Sequence, residues 1–269
     1  MKKILLICVN YNSYDCLIKY LDSIRVAYSQ TENLDLKVIV ADNSQTIQNI
    51  NSEDYEFSVT QVVTGGNPGY MGAVTFSIDQ QKILLSDYDF LIISNVDLQL
   101  DKDYFAKLIN RKYADNVAWI APQIFSKFEN RDRNPKMISR PSLKKMKLLK
   151  LFYKVPVLNY FYVNTIYKLK SKHLPQNATD NYIYGGHGSC MIFTNNFIKQ
   201  YSKIVFPSFL FCEESFFAEE ILKKDLKVEY CNDIVVYDSD HESTGKMKKK
   251  LYYKYNYDSV CMILNNYYK

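Results

Sequence analysis

The 269-residue sequence contains no apolar run approaching the roughly 18 residues of a membrane-spanning helix, which excludes a helical membrane span. The stretch Lys2-Lys3-Ile4-Leu5-Leu6-Ile7-Cys8-Val9 stops at Asn10 and has no small-residue cleavage site. It therefore reads as a buried first strand and not as a signal peptide, and the chain is expected to stay in the cytoplasm. None of the six cysteines forms a Cys-x-x-Cys pair, so neither a zinc ribbon nor a dithiol redox motif is indicated. In a reducing compartment they are expected to be free and mostly buried as small hydrophobes. Gly-x-Gly-x-x-Gly is missing after the first strand, and so is the Gly-x-x-x-x-Gly-Lys-[Ser/Thr] phosphate loop. A dinucleotide-binding Rossmann site and a P-loop are both disfavoured. Internal repeats are also absent.

What is present is ordinary globular composition, 47% hydrophobic and 23% charged, with unevenly spread charge. Between Ser126 and Asp180 there are 13 Lys/Arg against three Asp/Glu, and Gly245–Tyr257 adds five lysines and no acid. With the whole chain at +5, a neutral-to-acidic body carries two basic attachments. The remainder alternates apolar strands (Ile4–Val9, Leu36–Ala41, Phe57–Val63, Phe90–Ser94, Val117–Pro122) with amphipathic stretches at Tyr14–Tyr28, Met71–Leu85 and Lys102–Asn110. That alternation predicts an α/β fold with a mostly parallel sheet covered by helices on both faces. Residues 126–180 read as short amphipathic helices or an ordered insertion. The sheet pattern resumes at Ser189–Thr194, a helix runs from Glu213 to Lys224, and two short strands follow at Val228–Cys231 and Ile234–Tyr237. From Lys246 onward a helix is expected. The implied organisation is 1–125, 126–180, 181–245 and 246–269.

Ligands of such sheets gather at the carboxyl ends of the strands. That rule selects Asn10-Tyr11-Asn12, Asp42-Asn43-Ser44, Gly65–Gly72 and Asn95-Val96-Asp97. The glycine cluster either lets backbone approach a phosphate or sugar, or forms a plain tight turn. Asp97 can hold a hard divalent cation or serve an Asx-turn. Glu213-Glu214 can supply a general base and a neighbour that tunes it, or simply favour a helix start. His241 follows the last strands in a polar loop, where an imidazole can complete a metal site, contact phosphate or face solvent.

In order and spacing these pieces resemble the inverting family 2 glycosyltransferases of the GT-A fold, particularly the rhamnosyltransferase-like enzymes of bacterial surface-polysaccharide (capsule or O-antigen type) synthesis. Val9-Asn10-Tyr11-Asn12 is similar to the family's V-x-Y-N opening, Asp42-Asn43-Ser44 to D-N-x-S, and Asn67-Pro68-Gly69-Tyr70 to N-x-G-[FY]. Asn95-Val96-Asp97 is similar to N-P-D, Gly188-Ser189-Cys190-Met191-Ile192 to G-A-x-M-[LI], Phe211-Cys212-Glu213-Glu214 to [FY]-x-E-[DE], and His241 to the late His before a Ser-Thr stretch. The sequence departs from the family at Pro68, Val74, Thr75 and Val96, and has Leu222 or Lys223 where a helix arginine is usual.

The resemblance implies a GT-A fold with a basic helical insertion and a C-terminal helix. It implies a UDP- or dTDP-sugar donor, Mg2+ or Mn2+, and inversion. Asn10, Tyr11, Asn12, Asp42, Asn43, Asn67, Gly69, Tyr70 and Asn95 would line the nucleotide-sugar site, with Asp42 accepting from the base. Asp97 and His241 would hold the metal, Glu214 would be the general base with Glu213 as the alternative, and Gly188 and Ser189 would meet the acceptor. His187 either touches acceptor or fills a turn. The basic segments suit an anionic membrane surface and a polyprenyl-diphosphate-linked saccharide acceptor, or form a solvated basic face. No recognition motif supports nucleic acid. The competing readings are a sugar nucleotidyltransferase, against which the lack of a basic glycine-rich loop after the first strand argues, and a non-catalytic binding module.

Overall fold

The computed structural model describes residues 1–158, 181–201, 203–238 and 247–268. Its sheet has ten strands: β1 (Lys2–Asn10), β2 (Leu34–Asp42), β3 (Ser58–Val63), β4 (Phe90–Asn95), β5 (Leu98–Leu100), β6 (Val117–Ser126), β7 (Arg131–Asp132), β8 (Tyr182–Ile183), β9 (Cys190–Thr194) and β10 (Lys227–Asp238). The main order is β3-β2-β1-β4-β9-β6-β10-β5, with β7 added to β6 and β8 to β10. The helices are α1 (Tyr14–Ser29), α2 (Tyr70–Gln80), α3 (Tyr104–Asn110), α4 (Leu143–Lys154), α5 (Asn195–Ile198), α6 (Glu213–Lys223) and α7 (Lys249–Tyr267).

The α/β fold is as the alternation predicts. From β3 to β4 all pairings are parallel, and the central strands are continuous apolar runs because both faces are covered. Successive side chains of β1 point to opposite faces. Ile4, Leu6 and Cys8 join Leu17, Tyr20 and Ile24 of α1 in one core. Leu5 and Ile7 join Met71 and Val74 of α2 and Phe217 of α6 in the other. A third, smaller core of Met146, Val260, Ile263 and Leu264 lies where α4 packs on α7.

Beyond β4 the sheet becomes mixed. β9 runs antiparallel between β4 and β6. Nothing in a five-residue apolar run indicates direction, so sequence pattern cannot show this reversal. The two short strands expected near residue 230 are one strand, β10, whose pairing with β6 shifts register between Cys231 and Val235. Asn232 and Asp233, which read as a break, are the irregularity that keeps the strand continuous. The helix expected over Met71–Leu85 ends at Gln80, and Lys82 takes a left-handed backbone at φ 50°. Within residues 126–158 the insertion contributes β7 and α4; its expected helical content beyond residue 158 lies outside the described residues. All six cysteines are free, but only Cys8, Cys190 and Cys231 are fully buried. No described helix is long and apolar enough to cross a membrane.

Candidate active site

β1, β2 and β4 end together, at Asn10, Asp42 and Asn95. Asn10 is paired across the sheet with Asp42, and both side chains are fully buried. The Asp42 carboxylate accepts four hydrogen bonds. Oδ1 receives the Asn10 amide at 3.2 Å and the Ser44 N–H at 3.1 Å, and Oδ2 receives the Tyr14 hydroxyl and the Gln61 amide, each at 2.7 Å. Tyr14 and Gln61 were not foreseen: the first is read as an amphipathic helix start, and the second is one polar residue in an alternating strand. Tyr11 is 37% exposed beside them, offering an aromatic face. Asn12, at φ 55°, accepts the Gln45 N–H at 3.0 Å.

The glycine-rich loop is held by amides. Asn67 Oδ1 accepts the Gly69 N–H at 3.0 Å, and the Asn43 amide reaches the Gly69 carbonyl at 3.3 Å. Thr64 donates to Asn43 Oδ1 at 2.8 Å. Gly69, at φ 85°, caps α2, and a Cβ there would lie 2.0 Å from the Phe209 carbonyl oxygen. The glycine thus serves close approach between this loop and the segment preceding Glu213. Gly69→Ala is expected to destabilise by at least the ~1–3 kcal/mol of a strained left-handed residue, because the clash adds to it. A denaturation midpoint equal to wild type would refute this close contact.

α2 begins at Tyr70, whose hydroxyl donates to the Gly188 carbonyl at 3.2 Å. Burial raises the Tyr70 hydroxyl well above its ordinary value, with Cys190, Glu213, Tyr20 and Asp97 adding to it, so it stays a donor. This bond joins the glycine-rich loop to the turn before β9. The Asn95 N–H donates to the Ser189 carbonyl at 2.9 Å, closing the same junction. His187 Nδ1 accepts the Ser189 N–H at 3.2 Å and lies 2.9 Å from the Ser189 hydroxyl. Burial first, then Lys136, Arg133 and Arg131, push the imidazole down to about 3. A neutral ring accepting at Nδ1 carries its proton on Nε2.

Glu213 and Glu214 open α6 after two consecutive non-glycine residues in the left-handed region, Phe211 at φ 70° and Cys212 at φ 63°. Such conformations persist where the surroundings over-determine them. Glu213 is buried, and its carboxylate turns back to accept the Phe211 N–H at 2.9 Å. Burial, reinforced by the charge of Glu214, pushes its carboxyl well above the ordinary carboxylate range. The Glu214 carboxylate lies over Gly188, whose added Cβ would meet its Oε2 at 3.6 Å. The two acids are therefore neighbours in sequence with different surroundings: one buried, one facing the Gly188 turn.

The folded state holds the Glu213 proton at pH values where the unfolded chain has lost it, so stability falls as pH rises past about 4.5. Glu213→Gln keeps the acceptor for Phe211 and has no carboxyl to ionise. The variant is expected to match wild type near pH 4 and to be more stable above about pH 8. Parallel loss of stability in both proteins would show Glu213 to be ionised in the fold.

Asp97 follows Asn95, whose side chain hydrogen-bonds it. β5 pairs antiparallel with the end of β10, setting Leu98 opposite Asp238. Asp97, one residue earlier, is near enough for the two charges to interact. Burial and then Asp238 raise the Asp97 carboxyl above its ordinary value, while Arg133 opposes them. Arg133 is hydrogen-bonded to Asp238, which is buried. Two neighbouring carboxylates are hard-oxygen donors of the kind a hard divalent cation takes. Among the described residues no third metal-ligating side chain joins them. His241, the other expected ligand, lies outside the described residues. Asp238 was missed because its placement depends on pairing between strands far apart in the chain.

Comparison with known proteins bears on this arrangement. A family model described as glycosyl transferase family 2 matches residues 6–193. No curated protein matches the sequence. Among solved structures, TarS 1–349 of S. aureus in complex with UDP-GlcNAc superposes with a TM-score of 0.58 at 13% identity, covering 100% of this chain and 68% of that one. A second S. aureus TarS structure gives 0.53 at 14% identity, covering 89% of this chain and 37% of that one. The mannosyltransferase PcManGT from Pyrobaculum calidifontis, solved with GDP-Man and Mn2+, gives 0.51 at 12% identity, with 97% and 74% covered. At such identities the likeness is one of fold.

Proposed function

The chain belongs to glycosyl transferase family 2, and on that premise we propose that it moves a sugar from a UDP- or dTDP-sugar to a saccharide acceptor with inversion at the anomeric carbon. The rhamnosyltransferase-like branch, polysaccharide assembly and an acceptor carried on polyprenyl diphosphate at the inner face of the cell membrane belong to the same reading. The observation that supports it is the meeting of Asn95, Tyr70 and Glu214 around one turn, Gly188-Ser189.

Each residue then has a task. Tyr11 covers the base, and the buried Asn10–Asp42 pair forms the floor beneath it. Asn12, Asn43, Asn67 and Gly69 shape the loop that takes the ribose and diphosphate. Asp97 and Asp238 would hold Mg2+ or Mn2+, together with His241. When bound there, a divalent ion neutralises the charge that develops on the departing nucleoside diphosphate. His187, Gly188 and Ser189 receive the acceptor, with the His187 Nε2–H as a neutral donor. Glu214 takes the proton of the attacking hydroxyl. Glu213, buried and protonated, keeps a second negative charge away from that carboxylate and fixes the loop through Phe211. A single displacement inverts the anomeric centre, so no covalent nucleophile is required.

The test is a panel of UDP-, dTDP- and GDP-sugars with and without Mn2+, followed by donor hydrolysis and by thermal shift, since native-state binding raises stability by mass action. Hydrolysis and a shift confined to a uridine or deoxythymidine nucleotide support the reading, and a response to GDP-sugars alone overturns that donor. Neither response with any nucleotide defeats it.

A further inference from the structure

We propose that the adjoining ends of α4 and α7 form a docking face for an anionic lipid bilayer; this rests on the reading of the acceptor as lipid-carried and assigns the surface that meets the lipid. The two helices pack antiparallel. Met146 lies with Val260, Ile263 and Leu264 at one end. At the other end the Tyr153 ring is 6.3 Å from the rings of Tyr252 and Tyr253, and the Lys150 ammonium sits 5.9 Å from the Tyr257 ring centre. The last turns of α4 are thereby set beside the first turns of α7.

Both contribute the same chemistry to that place. Leu151 and Val155 of the α4 end are 44% and 36% exposed, and Leu251 and Tyr252 of α7 are 38% and 37% exposed. Around them Lys154, Lys249, Lys250 and Lys254 are exposed. The sequence has no Asp or Glu from Arg133 to Leu158 or from Met247 to Tyr257, so no acid of either helix end offsets this charge. Lysines flanking exposed aliphatic and tyrosine side chains suit a bilayer interface, where ammonium groups meet anionic headgroups and the apolar groups enter the acyl boundary. A nucleic acid backbone would match the lysines and leave the leucines and valine without a counterpart.

The face also adjoins the chemistry. The Tyr252 ring stands edge-on to that of Phe211 at 5.3 Å, and Phe211 gives its N–H to Glu213. Tyr252 of this face thus reaches Glu213 through one ring contact and one backbone hydrogen bond. An acceptor whose sugar stands at the headgroup level would enter there.

Sedimentation with vesicles tests this, using phosphatidylcholine alone and phosphatidylcholine:phosphatidylglycerol at about 7:3 in low salt. The full chain is expected to bind only the anionic vesicles. Each surface lysine contributes roughly fivefold to such partitioning, so Lys249→Glu/Lys250→Glu/Lys254→Glu is expected to lose about a hundredfold. Acidic residues in the first turns of a helix suit its dipole, so this variant should fold. Leu151→Ser/Leu251→Ser is expected to lose about tenfold or more. Equal binding to both vesicle types, no binding to either, or full binding by the lysine variant would overturn the docking face. Displacement by duplex DNA combined with indifference to the leucine changes would assign the surface to nucleic acid and overturn it equally. Donor hydrolysis measured on the same samples separates the two readings. Hydrolysis without vesicle binding rejects the docking face alone, whereas anionic-vesicle binding without hydrolysis of any donor rejects sugar transfer and leaves the face standing.

Discussion

Glu214→Gln is expected to bind nucleotide sugar nearly as wild type does and to lose about 10²–10⁴-fold in kcat, the usual effect of removing a general base. The amide keeps the size of the side chain over Gly188 and much of its hydrogen bonding. What it lacks is a lone pair basic enough to take the acceptor's proton as the new bond forms. Because that loss is confined to the transition state, kcat and kcat/KM should fall together while donor affinity holds. Glu213→Gln provides the contrast. Its carboxyl is already protonated by burial and by its neighbour, so replacing it with an amide alters little of the charge at the site. Transfer should fall far less than in Glu214→Gln. If the pure kcat loss appears in Glu213→Gln and Glu214→Gln stays active, the two acids exchange roles. Wild-type rates in both would reduce the pair to a helix-start feature.

Asp97→Asn is expected to move binding and stability in opposite directions. The carboxylate is unfavourably placed in the absence of a cation, since burial and Asp238 both raise its proton affinity. Removing it relieves that repulsion, so Tm should hold or rise. On the proposed metal site the same change removes one of two carboxylate ligands, so the Mn2+-dependent part of nucleotide affinity should drop by about tenfold or more, roughly 1.4 kcal/mol. Calorimetric titration of UDP and dTDP with and without Mn2+ reads the first effect, and a melting curve the second. Undiminished Mn2+-dependent binding would reject Asp97 as a ligand. A large fall in Tm would show that the carboxylate holds the fold together.

Much of the parallel half of the sheet was legible, because strands buried on both faces must be continuously apolar and because polar residues mark where they end. Asn10, Asp42 and Asn95 close their strands at one edge for this reason. The rest depended on contacts between distant segments. Asp238 comes to Asp97 only through an antiparallel strand of three residues. Tyr14 and Gln61 reach Asp42 from elements whose patterns signal amphipathic packing and nothing more. The lysines of α4 and α7 were visible as basic segments, but their meeting was not, since Tyr153 and Tyr252 are about a hundred residues apart in the chain. The two glutamates were visible as a pair. Their unequal burial follows from the left-handed turn at Phe211 and Cys212, a conformation neither residue type advertises.

That turn rests on α7. Ser259 donates to the Leu210 carbonyl at 2.6 Å, Tyr255 lies 4.7 Å from Phe209, and Tyr252 stands against Phe211. A chain leaves the ribosome in sequence order and folds by units as it emerges, so every strand of the sheet and all of α6 exist before α7 does. During synthesis the sheet edge carrying Asn10, Asp42 and Asn95 can therefore assemble while the strained segment before Glu213 still lacks the surface that holds it. On the proposed roles, the carboxylate pair reaches its working geometry only after α7 docks, so a nascent chain folds its sheet before it gains that pair.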